Sequence, residues 1–412
     1  MPFEKINKRK IFNDPVLGFI SISDELIFDL IEHPYFQRLK RISQTGLSYY
    51  VYPGATHTRF LHSLGCMHLM QTTLQILKDK GVDITKEEER ASIIAILLHD
   101  LGHGPFSHTL ELTLMERVSH ENISITFMNL LNREFNNELS LALDIFLDKY
   151  PRKFFHQLIS SQIDLDRLDY LKRDSFFTGV SEGNVNSERI ITMMNVVDDE
   201  LVIDSKGIYS IEKFLTSRMF MYWQVYFHKT SVTVEFYLME VLKRAKYLVQ
   251  CGENVPSTDN LKYFLEKKDL LNPGKEDLDK FSQLDDSDII SALKVWQTHD
   301  DRILRILSKA IIHRNLPSSL IISSPFSKEK MQELKKKTEK IFKIEDGKYF
   351  VHQNELSVLA YNDKKNPIKF LLKNKEVKEL QDLDNQVLVK DLRKKITRYH
   401  LCIPREVGFE PE

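Results

Sequence analysis

The chain has 412 residues, enough for two or three domains or for one large domain with an appended lobe. Its 58 basic residues against 59 acidic ones give a formal charge of −1, so charge does not indicate nucleic-acid binding, although a local basic pocket for a small polyanion remains open. No apolar run approaches the roughly 20 residues of a membrane span, no secretory h-region opens the chain, and Cys66, Cys251 and Cys402 lie far apart, which together predict a cytoplasmic protein with reduced thiols.

Taken in order, Glu25–Ile31 and Tyr35–Ile42 are short amphipathic stretches split at Pro34. The apolar spacing over His57–Leu77 predicts a long helix with one wide stripe. Glu87–Leu101 is a second, with Thr85 as N-cap and acids in its first turn. Further helices are expected over Ser119–Leu131, Asp164–Phe176, Ser187–Met194 and Ile211–Leu248, with a strand pair near Glu200–Ile203 and Gly207–Ser210. A polar stretch with Pro256, Pro273 and Gly274, roughly 252–280, reads as a transition. Two helices, a helical stretch over Ser327–Ile341, and apolar or alternating runs at Tyr349–His352, Leu356–Ala360, Ile368–Leu371 and Thr397–Cys402 follow. The expected fold is mainly α: an arm over 1–50, a helical core over 51–250 and a small C-terminal α+β lobe over 251–412, the last for assembly.

The informative run is His99-Asp100-Leu-Gly102-His103-Gly104-Pro105-Phe106-Ser-His108. An adjacent His–Asp pair emerges there from an apolar helix that Gly102, Gly104 and Pro105 bring to a stop. A buried Asp is costly unless paired or metal-bound. By itself the pair reads equally well as an exposed helix end with a capping His. Two other segments change the balance. Arg59 and His62 share one helical face. Asp164–Asp174 carries acids beside a stripe of Leu165, Leu168 and Leu171, although such charge runs often form an ion-paired surface helix. His62, His99, Asp100 and Asp166 thus supply two imidazoles and two carboxylates, a set that suits Mn, Fe, Co, Ni or Zn, with Mg also open.

The segments 52–65, 99–108 and 164–174 together resemble the H…HD…D signature of the HD-domain deoxynucleoside triphosphate (dNTP) triphosphohydrolases, in the family's order and over more than half of the chain. The resemblance implies metal ligation by His62, His99, Asp100 and Asp166, with a second Mg or Mn on the triphosphate as a further option. It implies Arg59 on the α-phosphate and Arg167 and Arg218 on the outer phosphates. His103, His108 and His120 fall on non-ligand active-site histidines, His120 as the general acid and Glu121 orienting it. Gln44, Tyr170 and Asp174 would read the sugar and its 3′-hydroxyl, with Tyr222 and Tyr226 nearby. Lys10, Asn13, Gln37, Arg38 and Lys40 resemble an activator site between subunits.

Departures limit the transfer. Thr45, Tyr222 and Phe227 differ from family residues near the sugar and base, which leaves base preference open. Lys40 replaces an arginine and lacks the planar fork for bidentate base reading. The implied activity is hydrolysis of a dNTP at the α-phosphorus to deoxynucleoside and inorganic triphosphate, with dNTP activation and a homo-oligomer, a tetramer before a hexamer. The alternatives are another HD phosphohydrolase, such as a nucleotidase or phosphodiesterase, and a non-catalytic nucleotide sensor or single-strand binder.

Overall fold

A computed structural model describes residues 10–106, 113–114, 118–267, 273–384 and 386–408. Three helices set the frame. The Arg59–Asp79 helix starts two residues later than the apolar spacing predicts, because extended Thr58 pairs with Ser43 before the chain turns helical. The Lys86–Leu98 helix opens in a complete capping box between Thr85 and Glu88, and His99 closes it. Leu165–Thr178 is capped by the Asp164 carboxylate and ends at Gly179, whose φ of +74° favours glycine. Leu98, Leu165, Leu168 and Leu171 are fully buried where these helices pack, so the polar groups one position away are carried into the interior with them.

Several expectations need correction. The N-terminal arm holds a hairpin, Lys10–Asp14 with Gly18–Ile22, whose turn is closed by Asp14 Oδ1 accepting from Val16 N and Leu17 N at 2.9 and 2.8 Å. Tyr35–Ile42 is not one helix but Pro34–Gln37 followed by the 3₁₀ turn Arg38–Arg41. The strand Glu200–Asp204 pairs backward with Met194–Val197 rather than forward, because Asp198 and Asp199 both take positive φ and make a tight hairpin turn. Gly207–Ser210 instead enters the Ile208–Met221 helix. The long helix foreseen over Ile211–Leu248 is broken: a π-turn over Tyr222–Tyr226 ends the first part, and His228 caps a second helix, Lys229–Gln250. The stretch near 252–280 contains the Asp259–Glu266 and Lys275–Ser282 helices.

The fold is mainly α, with its small sheets toward the C-terminus. In one sheet Glu200–Asp204 runs parallel to Lys369–Leu371, which pairs with Val377–Glu379. In the other, Ile396–Ile403 is flanked antiparallel by Ser318–Ile322 and His352–Val358. A shared apolar cluster runs through the molecule and includes Leu98, Leu168, Phe281, Trp296 and Cys402. The C-terminal segments therefore pack on the helical core. Among the described residues no helix is long and apolar enough to cross a membrane.

The three-stranded sheet carries two imidazoles out of bulk water, His400 buried and His352 half-buried. His400 touches Thr233 Oγ1 at 3.0 Å, and His352 stacks on Phe236 with ring centroids 4.0 Å apart. Burial pushes both imidazoles down to about 4, with His400 a second cause for His352. The folded state thus keeps both neutral where the unfolded chain begins to bind protons. Their contribution to stability should be level above about pH 6.5 and fall as pH drops toward 4, by at most about 1.4 kcal/mol per pH unit for each imidazole. Urea midpoints at pH 7 and pH 5 check this: His352→Gln and His400→Gln should each flatten the dependence.

Candidate active site and metal centre

His62 projects from the first turn of the 59–79 helix, His99 and Asp100 leave the end of the 86–98 helix, and Asp166 sits in the first turn of the 165–178 helix. Helix packing brings them together. His62 Nε2 lies 3.0 Å from Asp166 Oδ1 and 3.7 Å from Asp100 Oδ2, and His99 Nε2 lies 3.3 Å from Asp100 Oδ1 and 3.7 Å from Asp166 Oδ1.

The other ring nitrogens decide what these atoms can do. His62 Nδ1 is 2.7 Å from Asp169 Oδ2, and His99 Nδ1 is 2.6 Å from the Ile96 carbonyl. Carboxylates and carbonyls only accept, so both Nδ1 atoms carry protons and both Nε2 atoms can turn lone pairs toward the carboxylates. His99 Nε2 is buried without a hydrogen-bond partner. Lone pairs facing carboxylates in a dry interior call for a positive charge between them, and this donor set fits a divalent ion. In a metal-free chain protons take that place. Burial works against it, but Cys66, Asp166 and Asp169 hold His62 well above the ordinary imidazole range, and Asp100 and Asp166 raise His99. Despite burial, His99 and Arg59 hold the Asp100 carboxyl well below the usual carboxylate range. Cys66 Sγ also lies close to this group, but it sits 3.6 and 3.7 Å from the two nitrogens of the His62 ring, over its face, and burial pushes its thiol far up. Asp100 is therefore a better candidate than Cys66 for a fourth ligand beside His62, His99 and Asp166.

Around this group the side chains have unequal fates. Arg59 Nη1 is held by Asp100 Oδ2 at 2.5 Å. Arg167 pairs with buried Asp164, one turn back. His103 lies 3.4 Å from Asp100 Oδ1 and stacks on His120, centroids 4.0 Å apart; burial and Arg59 push it far down, so it is neutral. Glu121 follows on the exposed side of the helix that Ser119 caps. His108 lies outside the described residues. A cavity of about 540 Å³ is lined by Arg59, Asp166, Arg167, Gln44, Tyr170 and Asp174, with Tyr222 and Tyr226 also on its wall. Arg218 is not on that wall; its guanidinium lies 5.9 Å from the ring of Tyr222, which is. Both oxygens of Asp174 are engaged, by His57 Nε2 at 2.7 Å and the Tyr226 hydroxyl at 2.6 Å.

The N-terminal residues divide. Lys10 lies over Phe12 and pairs with Glu32, Lys40 lies over Phe60 and reaches Gln37, and Phe12 meets Phe60 edge-on. Asn13 is exposed in the same hairpin. Arg38 does not join that face. It is 1% exposed, and its guanidinium donates to the His103 carbonyl at 2.7 and 2.9 Å and to the Leu101 carbonyl at 3.2 Å, beneath the HD turn.

Some residues escaped sequence reasoning. Asp169 orients His62, and Asp286, far along the chain, accepts from Phe106 N and Ser43 N at 2.9 Å each. Neither has a local signal; only the tertiary structure brings them to the site. Gly102 does have one: a Cβ there would meet the His120 carbonyl at 1.9 Å, so the HD turn touches the His120–Glu134 helix only because residue 102 is glycine.

Comparisons with known proteins agree with this geometry. Residues 59–174 match the HD domain family and residues 185–250 the HD associated region. A crystal structure of a phosphohydrolase from Bacteroides thetaiotaomicron superposes with a TM-score of 0.93 at 46% identity, covering 96% of this chain and all of that one. The uncharacterized protein YwfO of Bacillus subtilis is 36% identical over 76% of this chain and 72% of its own length. The chain belongs to the HD-domain phosphohydrolase family. Within that family it is 30% identical over 64% of its length to the deoxynucleoside triphosphate triphosphohydrolase SAMHD1 homolog of Dictyostelium discoideum, of which it spans 54%.

Arg38→Ala should remove a buried charge with three backbone bonds, destabilising the fold by on the order of 3 kcal/mol and weakening metal binding. Lys40→Ala, on the exposed face, should change neither. Urea unfolding and Mn²⁺ titration of the two variants check the contrast.

Proposed function

We propose that the protein is a metal-dependent dNTP triphosphohydrolase acting at the α-phosphorus. The observation that supports this most is the cavity of about 540 Å³, within the range for small-molecule sites, which one metal-ligand candidate, two arginines and a set of sugar-type polar groups share. A divalent ion bound by His62, His99, Asp100 and Asp166 would supply a water of lowered pKa and polarise the phosphoryl oxygen.

The chain's own groups do the rest. Arg59, fixed by Asp100, meets the α-phosphate, and Arg167, anchored on Asp164, neutralises the outer phosphates. Arg218, 5.9 Å from the Tyr222 ring, contributes its charge to the same phosphates. As the water oxygen bonds to the α-phosphorus and the bond to the 5′-oxygen breaks, His120 gives that oxygen its proton, with neutral His103 stacked against it; Glu121 and His108 keep the roles the resemblance implies. Gln44 Oε1 is buried without a partner on the cavity wall and reads the 3′-hydroxyl together with Asp174, which His57 and Tyr226 hold in place. Tyr170 packs on the sugar.

An activating dNTP would occupy the face where Lys10 and Lys40 flank the Phe12–Phe60 pair, with Asn13 and Gln37 beside them. The segment 251–412 would serve assembly into a tetramer, or failing that a hexamer.

Each dNTP, alone and in pairs with Mn²⁺ or Mg²⁺, should release inorganic triphosphate, read by ³¹P NMR, and a second dNTP should raise the rate. Orthophosphate or pyrophosphate as the phosphorus product would overturn attack at the α-phosphorus. Asp166→Ala should lose turnover by roughly 100-fold or more, with loss of metal.

A further inference from the structure

Behind His62 runs a line of buried charge that ends in the N-terminal hairpin. Asp169 Oδ2 takes the His62 Nδ1 proton at 2.7 Å. Arg173 grips both oxygens of the same carboxylate, Nε to Oδ2 and Nη2 to Oδ1, each at 2.8 Å. Its remaining arm, Nη1, donates to Asp14 Oδ2 at 2.7 Å. Asp14 is the last residue of the first hairpin strand, and its other oxygen closes the hairpin turn. The side chains of His62, Asp169, Arg173 and Asp14 are each no more than 1% exposed. The line crosses the 59–79 helix at Gly65, where a Cβ would fall 2.0 Å from Asp169 Oδ1 and 2.3 Å from Arg173 Nη2. No other residue fits there unless the line moves.

We propose that Asp169, Arg173 and Asp14 are positioning residues through which the N-terminal hairpin sets how strongly His62 holds the metal ion; this rests on the metal-site reading. A carboxylate on Nδ1–H raises the electron density at Nε2 and fixes the ring's rotation, and such outer partners typically change metal affinity roughly 10- to 100-fold. Arg173 divides its charge between two carboxylates. With the Asp14 carboxylate replaced by an amide, the whole guanidinium charge falls on Asp169, which then draws less on the His62 proton and leaves Nε2 a poorer donor. Dry surroundings let this pass along the line with little screening. The hairpin thus acts on the site without touching it.

The test is Co²⁺ affinity, by calorimetry and by the visible absorption of the bound ion, on the full chain without nucleotide. Asp169→Asn should weaken binding roughly 10- to 100-fold. Asp14→Asn keeps the turn-forming oxygen and loses both the charge and the acceptor for Arg173 Nη1; it should weaken binding several-fold, while Glu32→Gln, a charge lost beside the same hairpin but off the line, should not. A wild-type chain that binds no Co²⁺ would overturn the metal site itself. A wild-type chain that binds, with Asp14→Asn equal to it, would overturn the coupling alone. If Asp14→Asn does not fold, Arg173→Lys decides: it keeps the charge and loses the fork, and unchanged affinity and absorption would sink the proposal.

Discussion

Two imidazole nitrogens with lone pairs and two carboxylates aimed at one small volume repel each other in the absence of a cation, and much of the core's local chemistry follows from holding them there. Each imidazole is fixed by what its Nδ1 proton binds, a carboxylate for His62 and a backbone carbonyl for His99. The second arrangement is intrinsic to a helix end, where carbonyls lack partners. The first needs a whole further layer of charge, since an unpaired Asp169 in that interior would be strongly unfavourable. Arg173 satisfies it, and Arg173 in turn requires Asp14. Gly65 lies beside this layer because nothing larger leaves room for it.

The HD turn is held in the same way, by charges on its backbone. Arg38 binds the carbonyls of Leu101 and His103 from one side, while Asp286 accepts from Phe106 N, at a residue with a φ of +50°. Ser124 links Gly102 N to the His99 carbonyl, each at 2.8 Å. Such a turn has little freedom to let His99 and Asp100 drift, which is what a ligand pair on a loop lacks unless its backbone is tied down.

The helices that carry the candidate ligands were legible because they are long and strongly periodic; Thr85 caps where the pattern places it, while Asp164, expected inside its helix, caps it instead. Elements that depend on backbone sign were not. The Asp198–Asp199 turn and the hairpin turn at Asp14 use positive φ or side-chain-to-backbone bonds that leave little mark on apolar spacing. The π-turn at Tyr222–Tyr226 is a register change, and a four-residue recurrence of Arg218, Tyr222 and Tyr226 cannot show it; the two tyrosines reach the cavity wall and the arginine does not. The second layer around His62 was illegible for another reason. Asp14, Asp169 and Arg173 look like solvated charges, and only packing makes them otherwise. Asp169 was in view throughout, one turn beyond a ligand, and nothing local distinguishes it from Lys172.

Arg38 shows why a short matched segment can be read in the right place and for the wrong side chain. In the four residues from Gln37 to Lys40, the first and last project outward and meet each other at 2.6 Å, while Arg38 and Leu39 project inward. Gln37 ends the short helix and Lys40 lies three positions on in the 3₁₀ turn, close enough for the two to meet. The outward pair lies on the face proposed for the activator, and the inward arginine holds the backbone of the HD turn. A group bound to Gln37 and Lys40 would therefore press on the same turn of backbone that fixes the carbonyls of Leu101 and His103. The distance between a surface event and the metal ligands is then one side chain deep, with no moving element required between them.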